Sequence, residues 1–280
     1  ATGPAEMSEH LRYLSKHARV PVSVMPNAGL PVLGPNGAEY PLTPDELAEA
    51  LSGFVGGFGL EFVGGCCGTT PEHIRQVAQA VAEVTPAVRT PEHQSETSSL
   101  YTAVPFDQDA SFLVIGERTN SNGSKAFREA MISGDYQKCL DTAKDQTRDG
   151  AHMLDLNVDY VGRDGAADMT ALATRFATSS TLPIMIDSTE PDVIQAGLEA
   201  LGGRCAVNSV NYEDGDGPDS RFARIMRLVV EHGAAVVALT IDEEGQARTA
   251  DHKVAIAERL ITEITDDWGL SEEDIIIDAL

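Results

Sequence analysis

The second part of the chain alternates short apolar runs with amphipathic stretches. The strand-like apolar runs cover residues 112–116, 151–156, 183–186, 204–207, 234–241 and 274–277. Helix-like stretches separate them, near residues 124–132, 136–149, 166–179, 191–201, 219–232 and 251–267. Six such alternations indicate a parallel sheet of βα units, and a spacing of roughly 20–45 residues per unit favours a (β/α)8 barrel. No GxGxxG follows the first run, which disfavours a dinucleotide-binding Rossmann fold.

The first part of the chain has the same character but contains fewer units. The pattern predicts three helices and two strands that alternate along the chain. The helices cover residues 6–16, 43–55 and 71–84, and the strands cover residues 20–25 and 60–63. The second helix has a strong start signal in Thr43-Pro44-Asp45-Glu46, because Thr can cap, Pro suits the first turn and Glu occupies the capping-box position. Two βα steps cannot close a fold alone.

Residues 85–110 separate the two parts. This stretch has three prolines, many Ser, Thr and Glu residues, and no apolar period, so it is predicted to be a linker. The predicted domain organisation is therefore a first unit at 1–84, a linker at 85–110 and a second unit at 111–280. Six strands leave an open barrel with exposed apolar edges, which leads us to expect a sequence truncated at both ends.

Polar residues stand at or just after the end of nearly every apolar run in the second unit. They are Glu117, Asn120, Asp155, Asn157, Asp187, Asn208, Asp242 and Asp278. In a TIM barrel the active site lies at the carboxyl ends of the strands. For any single position, a helix cap or a turn is the better interpretation of the polar residue. That interpretation is weaker when all six apolar runs end in such a residue. A ring of carboxylates and amides suits a ligand with many N–H donors, such as a pterin.

Composition and charge narrow the function classes. The chain has 20 basic and 44 acidic side chains, a formal net charge of −24. Such a charge repels nucleic acid and anionic membranes, so neither is an expected partner. No apolar stretch reaches the roughly 18 residues of a membrane span, and the N-terminus shows no secretion signal. The four cysteines form no disulfide framework, which favours a reduced, cytoplasmic setting.

Two of these cysteines, Cys66 and Cys67, are adjacent and flanked by glycines. Glycine lets the backbone bend tightly, so both thiolates can turn towards one metal, and a catalytic zinc keeps three protein ligands and one open place. The alternative is two small residues packed in a turn, which a bare pair favours when no third cysteine lies nearby. His73 is predicted to be a surface or cap residue rather than a ligand.

The segment GGCCGTTPEHI, at 64–74, resembles the end of the homocysteine S-methyltransferase barrel. The resemblance implies that Cys66 and Cys67 bind zinc together with a third cysteine from an earlier strand. The opening ATGPAEM resembles the segment that directly follows that third cysteine, so the third ligand is not in this chain.

From Phe112 onwards the sequence resembles the pterin-binding barrel of the cobalamin-dependent methionine synthase family. The motifs are VIGERTNSNGS (114–124), DLNVD (155–159), PIMIDST (183–189), VNSV (207–210), GAAVVALTIDEEGQA (233–247) and EDIIIDAL (273–280). The resemblance implies an α/β fold with two (β/α)8 TIM-type barrels, both incomplete. The chain would hold the last two βα units of the first and the first six of the second. A homocysteine-barrel ending followed by a pterin barrel is specific to this family.

The same resemblance implies residue roles. Asp187 and Asp278 would bind the pyrimidine edge of the pterin, and Asn208 would hydrogen-bond near N5. Asn120 and Glu117 would help form the pocket wall, and the weaker assignments Asp155 and Asn157 complete the set. The implied activity transfers the methyl group of 5-methyltetrahydrofolate, through cobalamin, to homocysteine. Zinc and cobalamin are the implied cofactors, the latter held mainly by another module of the same parent polypeptide.

Three alternatives remain open. The first is a dihydropteroate synthase, which has a related pterin barrel. That family has a Gly-Gly-x-Ser stretch that this sequence lacks, and it has no cysteine-bearing barrel before the pterin barrel. A corrinoid-protein methyltransferase with the pterin barrel alone does not explain the first 84 residues. An inactive interaction module, its missing strands supplied by another chain, is compatible with a truncated sequence.

Overall fold

The computed structural model describes residues 2–35, 37–109 and 112–280. The chain divides into two units, with the division between His93 and Gln94. This division falls inside the stretch that the sequence predicts to be a linker. Among the described residues, no helix has both the length and the apolar character needed to cross a membrane.

The first unit contains two parallel strands, one hairpin and three helices among its described residues. In chain order they are α1 (Pro4–His17), β1 (Ser23–Val24), β2 (Val32–Gly34), β3 (Gly37–Glu39), α2 (Pro44–Phe58), β4 (Phe62–Val63) and α3 (Pro71–Ala82). Strands β1 and β4 pair in parallel, with Ser23 opposite Phe62. Strands β2 and β3 form an antiparallel hairpin that the sequence pattern did not predict. The five elements that it did predict are confirmed, with boundaries shifted by a few residues.

Helix α2 begins where its sequence signal predicts and ends at Phe58, three residues beyond the predicted end at residue 55. The Glu46 N–H donates to the Thr43 hydroxyl at 3.4 Å, and the Thr43 N–H donates to the Glu46 carboxylate at 2.8 Å, which completes the capping box. Gly59 ends the helix in the left-handed region, at φ +66°, where glycine is favoured. Leu47 and Leu51, one turn apart, are fully buried and anchor the helix in the core of this unit.

The second unit is built on a curled sheet of six parallel strands, a half-barrel. Its elements are β5 (Glu96–Ser98), β6 (Ala103–Pro105), β7 (Ile115–Gly116), α4 (Lys125–Ser133), α5 (Tyr136–Arg148), β8 (Met153–Leu156), α6 (Gly165–Ser179), β9 (Ile184–Asp187), α7 (Pro191–Ala200), β10 (Ala206–Val210), α8 (Arg221–His232), β11 (Ala235–Leu239), β12 (Ile241–Asp242), β13 (Gly245–Gln246), α9 (Ala250–Asp266), a 3-10 turn (Glu272–Asp274) and β14 (Ile275–Asp278). The sheet order is β7-β8-β9-β10-β11-β14, so consecutive βα units lie side by side. The predicted α/β class with incomplete barrel architecture is confirmed.

The two faces of this sheet bury different sets of residues. Outward residues such as Leu154, Ile186 and Val236 pack against the helices in the larger core, which includes Phe176 and Phe222. The inner face carries a smaller apolar cluster at its amino end, formed by Met153, Met185, Ala206, Ala235 and Val237. Because side chains alternate along a strand, each strand contributes to both cores in turn.

Part of the segment predicted to be a linker is ordered and packs on the second unit. Strands β5 and β6 form an antiparallel hairpin, and Phe106 packs against the inner apolar cluster. The Ser98 N–H donates to the carbonyl of Arg204, just before β10, at 2.9 Å. The Ser95 hydroxyl donates to the carbonyl of Glu273, just before β14. The hairpin therefore lies across the amino end of the sheet. Three-residue strands are too short to show a hydrophobic period, so the sequence did not reveal them.

Candidate functional site

Four polar side chains occupy the inner face of the sheet at its carboxyl end. On each of four strands an inward apolar residue is followed, two positions later, by an inward polar one. The pairs are Met153 and Asp155, Met185 and Asp187, Ala206 and Asn208, and Ile276 and Asp278. The strands are parallel but staggered, since Asp187 lies opposite Asn208, whereas Asp155 lies opposite Met185 and Asp278 lies opposite Leu239. Together these four polar residues form an inner polar layer at the carboxyl end of the sheet. The layer lies where (β/α)8 enzymes place their active sites.

Asn120 joins two carboxylates of this layer. It follows β7 and forms an isolated parallel bridge with Asn157, beyond the end of β8. Its amide nitrogen donates to the Oδ2 atoms of Asp155 and Asp187, each at 2.8 Å. Its Oδ1 accepts the backbone N–H groups of Asn122 and Gly123 at 2.8 and 2.9 Å. The loop after β7 is therefore tied to the ends of β8 and β9.

Asn157 supports Asp187 from the neighbouring strand end. Its amide nitrogen donates to the carbonyl of Asp187 at 3.0 Å and to Oδ2 of the same residue at 3.3 Å. Its Oδ1 accepts from the Ser121 hydroxyl at 2.8 Å and from the Asp159 N–H at 3.0 Å. Asp187 thus receives both side-chain amides on one carboxylate oxygen, and among the described residues its other oxygen accepts no hydrogen bond.

The two bridged carboxyl groups have raised pKa values. Asp155 is 2% exposed, and burial raises its pKa to about 7, partly offset by the Asn120 hydrogen bond and reinforced by the charges of Asp187 and Glu117. Burial likewise raises the pKa of Asp187, against the hydrogen bond from Asn120, while the charge of Asp159 raises it further. The Oδ1 atom of Asp155 is buried and has no hydrogen-bond partner among the described residues. The cluster thus opposes the simultaneous ionisation of all its carboxyl groups.

The remaining predicted residues lie around this cluster. Glu117 is exposed, but close enough for its charge to raise the pKa of Asp155 and Asp187. Asn208 lies opposite Asp187 in the register of β9 and β10. Asp278, at the carboxyl end of β14, is exposed and accepts the Leu280 N–H at 2.8 Å. Asp242, which the sequence pattern includes in the polar ring, lies in β12, and its carboxylate is 2.8 Å from Nε2 of His252.

The sequence analysis missed a further pair in this network. The Ser188 hydroxyl lies within 3.0 Å of both carboxylate oxygens of Asp159, and Ser188 is 1% exposed. This contact ties the loop after β8 to the loop after β9. Asp159 and Ser188 stand inside the motifs DLNVD and PIMIDST, next to residues that were singled out, but nothing in the letters shows that they meet.

The cysteine pair lies in the loop after β4 of the first unit. Both thiols are exposed, and their sulfur atoms are 3.9 Å apart. A tetrahedral zinc with Zn–S bonds of about 2.3 Å holds two sulfurs about 3.8 Å apart, so the pair fits two positions of such a site. The Cys67 N–H donates to Oδ1 of buried Asn27 at 3.1 Å, and the Tyr40 ring packs on Gly68. The loop is thus held from two sides.

His73 is a helix cap, as predicted. Its Nδ1 lies 2.8 Å from the Thr70 hydroxyl at the start of α3, and its Nε2 lies 2.9 Å from the carbonyl of Leu42. Both ring nitrogens are therefore engaged within the protein. Among the described residues no group of three or more His, Cys, Asp and Glu side chains is arranged to hold a metal ion.

Comparison with known proteins agrees with this division. The family described as pterin binding enzyme matches residues 116–280, and the homocysteine S-methyltransferase family matches residues 1–81. The methionine synthase of Mycobacterium tuberculosis is 76% identical over 280 residues, and that of Mycobacterium leprae is 71% identical over 285. Each alignment covers 100% of this chain and 24% of the relative, so the chain spans about a quarter of the length of these relatives.

Among solved structures, the chain is similar to dihydropteroate synthase from Xanthomonas albilineans in complex with 7,8-dihydropteroate. The sequence identity is 15% and the TM-score is 0.44, over 63% of this chain and 60% of that one.

Proposed function

The chain belongs to the pterin-binding enzyme family, and we propose that it carries the 5-methyltetrahydrofolate site, and part of the homocysteine site, of a cobalamin-dependent methionine synthase. One observation carries the proposal: the carboxylates and amides at the carboxyl end of the parallel sheet lie within the stretch that matches this family. The identity of 76% to a methionine synthase along the whole chain supports the same assignment. The proposed enzyme is a methyltransferase.

The proposed folate site uses the inner polar layer. Asp187 accepts paired N–H donors from the pyrimidine edge through its free carboxylate oxygen, and Asp278 accepts from the same edge on the far side. Asn208, beside Asp187 in the sheet register, lies near N5. Glu117 contributes to the wall of the folate pocket. Asn120, Asp155 and Asn157 complete the proposed site residues and lie behind Asp187. Carboxylates are suited to this task because they only accept hydrogen bonds when ionised.

Methyl transfer from N5 is difficult because that nitrogen is a poor leaving group unless it is protonated. An amide such as Asn208 can turn its oxygen to accept from the protonated N5 as the methyl group leaves. This contact is made in the transition state and not in the ground state, which is the kind of interaction that raises a rate. Cobalamin would be held by another module of the parent polypeptide and, when bound, would supply the reduced cobalt to which the methyl group is transferred.

The homocysteine side rests on Cys66 and Cys67. Their sulfur separation fits zinc, and these two thiolates would hold the metal together with a third cysteine that is not in this chain. When bound, zinc supplies a Lewis acid that favours the thiolate form of the substrate thiol. Cys67 is positioned for this role by the hydrogen bond from its N–H to buried Asn27. Four free cysteines suit a reduced compartment, and we place the protein in the cytoplasm.

Two alternatives have weaker support. A dihydropteroate synthase-like enzyme is supported only by the distant structural similarity, and it leaves the match of residues 1–81 unexplained. An inactive interaction module gives no reason for the largely buried carboxyl groups of Asp155 and Asp187 at the carboxyl ends of their strands, since burying each of them has a solvation cost.

The test is calorimetric titration of 5-methyltetrahydrofolate into the chain and into Asp187→Ala and Asn208→Ala. Exposed residues on α5 give matched controls, Asp141→Ala and Gln137→Ala. We expect binding that both site variants lose by at least tenfold while both control variants keep it. If the unaltered chain does not bind, the proposed folate site is wrong and the interaction module becomes the better interpretation.

A further inference from the structure

The Asn120 side chain has every hydrogen-bonding group engaged within the protein. An amide offers two donors on nitrogen and two lone pairs on oxygen. Its nitrogen donates to Asp155 and Asp187 at 2.8 Å each, and its oxygen accepts from the backbone of Asn122 and Gly123 at 2.8 and 2.9 Å. No donor or acceptor is left for a ligand, although the sequence places Asn120 on the pocket wall.

The orientation of this amide is fixed by its neighbours. Backbone N–H groups only donate, so they must face the Asn120 oxygen, and carboxylate oxygens must face its nitrogen. The flipped amide would place its oxygen against two acid groups and its NH2 against two N–H groups. Both changes are repulsive, so the amide has one stable orientation.

The charges around the bridge explain why such an amide is needed. Asp155 and Asp187 each place Oδ2 on the same nitrogen, which holds both carboxyl groups near one point. The groups whose charges act on this pair are also acidic, Glu117 at the end of β7 and Asp159 in the loop after β8. Without the amide donors, two largely buried carboxyl groups would face each other in an acidic surrounding.

We propose that Asn120 is a positioning residue, which bridges Asp155 and Asp187, keeps the Asp187 carboxylate in place and charged for the ligand, and does not bind the pterin itself. This proposal rests on the proposed function of the site as a folate site. It assigns to Asn120 an action through Asp187, so its loss should resemble a partial loss of Asp187.

The diagnostic measurement is the affinity for 5-methyltetrahydrofolate at pH 6.5 and pH 8.5, by calorimetry. In Asn120→Ala the pKa of Asp187 rises, because one of its two side-chain amide donors is lost while the charges of Asp159 and Glu117 remain. The ligand needs the ionised carboxylate, so protonation at the lower pH removes an acceptor. We expect a loss on the order of tenfold or more at pH 6.5 and a much smaller loss at pH 8.5.

Two further variants make the test selective. Asn120→Ser keeps one donor and should bind with intermediate affinity, and it decides the question if Asn120→Ala does not fold. Gln137→Ala removes an exposed amide-to-carboxylate hydrogen bond of 2.9 Å on α5 and should bind like the unaltered chain. Thermal melts followed by circular dichroism establish which variants are folded.

Three results would overturn the proposal, and they are distinguishable. Equal affinity of the unaltered chain and Asn120→Ala would show that the bridge is dispensable. A loss of the same size at both pH values would show that the bridge does not act through the charge of Asp187. Absence of binding by the unaltered chain at both pH values would remove the proposed folate site, and this inference with it.

Discussion

Arg204 and Asp274 form an ion pair at the amino end of the parallel sheet, with Nη2 and Oδ2 2.7 Å apart. Asp274 is 3% exposed, so its charge has little access to water. The same guanidinium donates to the carbonyls of Glu96 in the hairpin, at 3.0 Å, and of Gly233 before β11, at 2.8 Å. One side chain therefore links the hairpin to three strand starts, at the opposite end of the sheet from the candidate site.

Replacing Arg204 by alanine should strongly destabilise the second unit. The change breaks an ion pair whose carboxylate is buried, and breaking a buried pair costs about 3–5 kcal/mol. Trp268, the single tryptophan, packs on the core of this unit, so its fluorescence during urea unfolding reports the free energy. Lys144→Ala removes an exposed pair of 3.6 Å and should cost less than about 0.5 kcal/mol. Equal effects of the two variants would contradict the structural role of Arg204.

The buried carboxyl of Asp155 should make stability depend on pH in a definite direction. Burial raises its pKa to about 7, above the ordinary value of 3.8. Between pH 4 and pH 7 the folded chain therefore binds more protons than the unfolded chain. The stability that protonated Asp155 contributes is complete below pH 4 and is lost as the pH rises towards 7. A pKa difference of about three between the folded and the unfolded chain corresponds to on the order of 4 kcal/mol in the free energy of unfolding.

Asp155→Asn isolates this contribution because the amide does not titrate. We expect the unaltered chain to lose more stability than the variant between pH 4.5 and 7.5, by urea unfolding followed through Trp268. Repulsion among the other acidic groups affects both proteins and cancels in the comparison. Identical pH slopes would mean that Asp155 titrates normally in the folded chain.

How much of the site the sequence predicts depends on the distance over which residues interact. The alternation of Met185 with Asp187, or of Ala206 with Asn208, follows from the two-residue period of a strand and is visible in the letters. Parallel strands bring such residues to one edge, so a polar layer could be predicted. The bridge from Asn120 to Asp187 spans 67 positions and depends on the curl of the sheet and the path of the loop after β7. Sequence periodicity contains no information on either.

The elements missed by the sequence share one physical property. The strands of the hairpins β2–β3, β5–β6 and β12–β13 are only two or three residues long. Length alone does not explain why they were missed, because β1 and β4 are equally short and were predicted. The formation of these hairpins depends on the surface on which they pack, which a hydrophobic period does not show. The helix starts were predictable because capping is local: Thr43 needs only Glu46, three residues later.

His73 should stabilise the first unit, as expected of a cap. In His73→Ala, the N-terminus of α3 loses its partner for the Thr70 N–H, and the Leu42 carbonyl loses its contact with the ring. Each lost hydrogen bond of a buried group costs about 1–3 kcal/mol. Circular dichroism should show a lowered melting temperature for this unit, while the Trp268 fluorescence transition keeps its midpoint. His10→Ala, at an exposed position of α1, is the control, and the interpretation of His73 as a cap fails if both variants melt alike.

The four thiols should divide into two reactive and two inert groups. Burial raises the pKa of Cys139 to about 11 and of Cys205 to about 12, and only the thiolate attacks a disulfide reagent. Cys66 and Cys67 are exposed.

With excess 5,5′-dithiobis(2-nitrobenzoate) at pH 8 we therefore expect two equivalents of thiol to react rapidly with the folded chain, and four after addition of guanidinium. Cys66→Ser and Cys67→Ser should each leave one rapid equivalent. Rapid reaction of all four thiols in the folded chain would mean that the cores around Cys139 and Cys205 open readily. Slow reaction of Cys66 and Cys67 would mean that the loop after β4 is covered, and the two proposed zinc ligands would then be inaccessible to a substrate thiol.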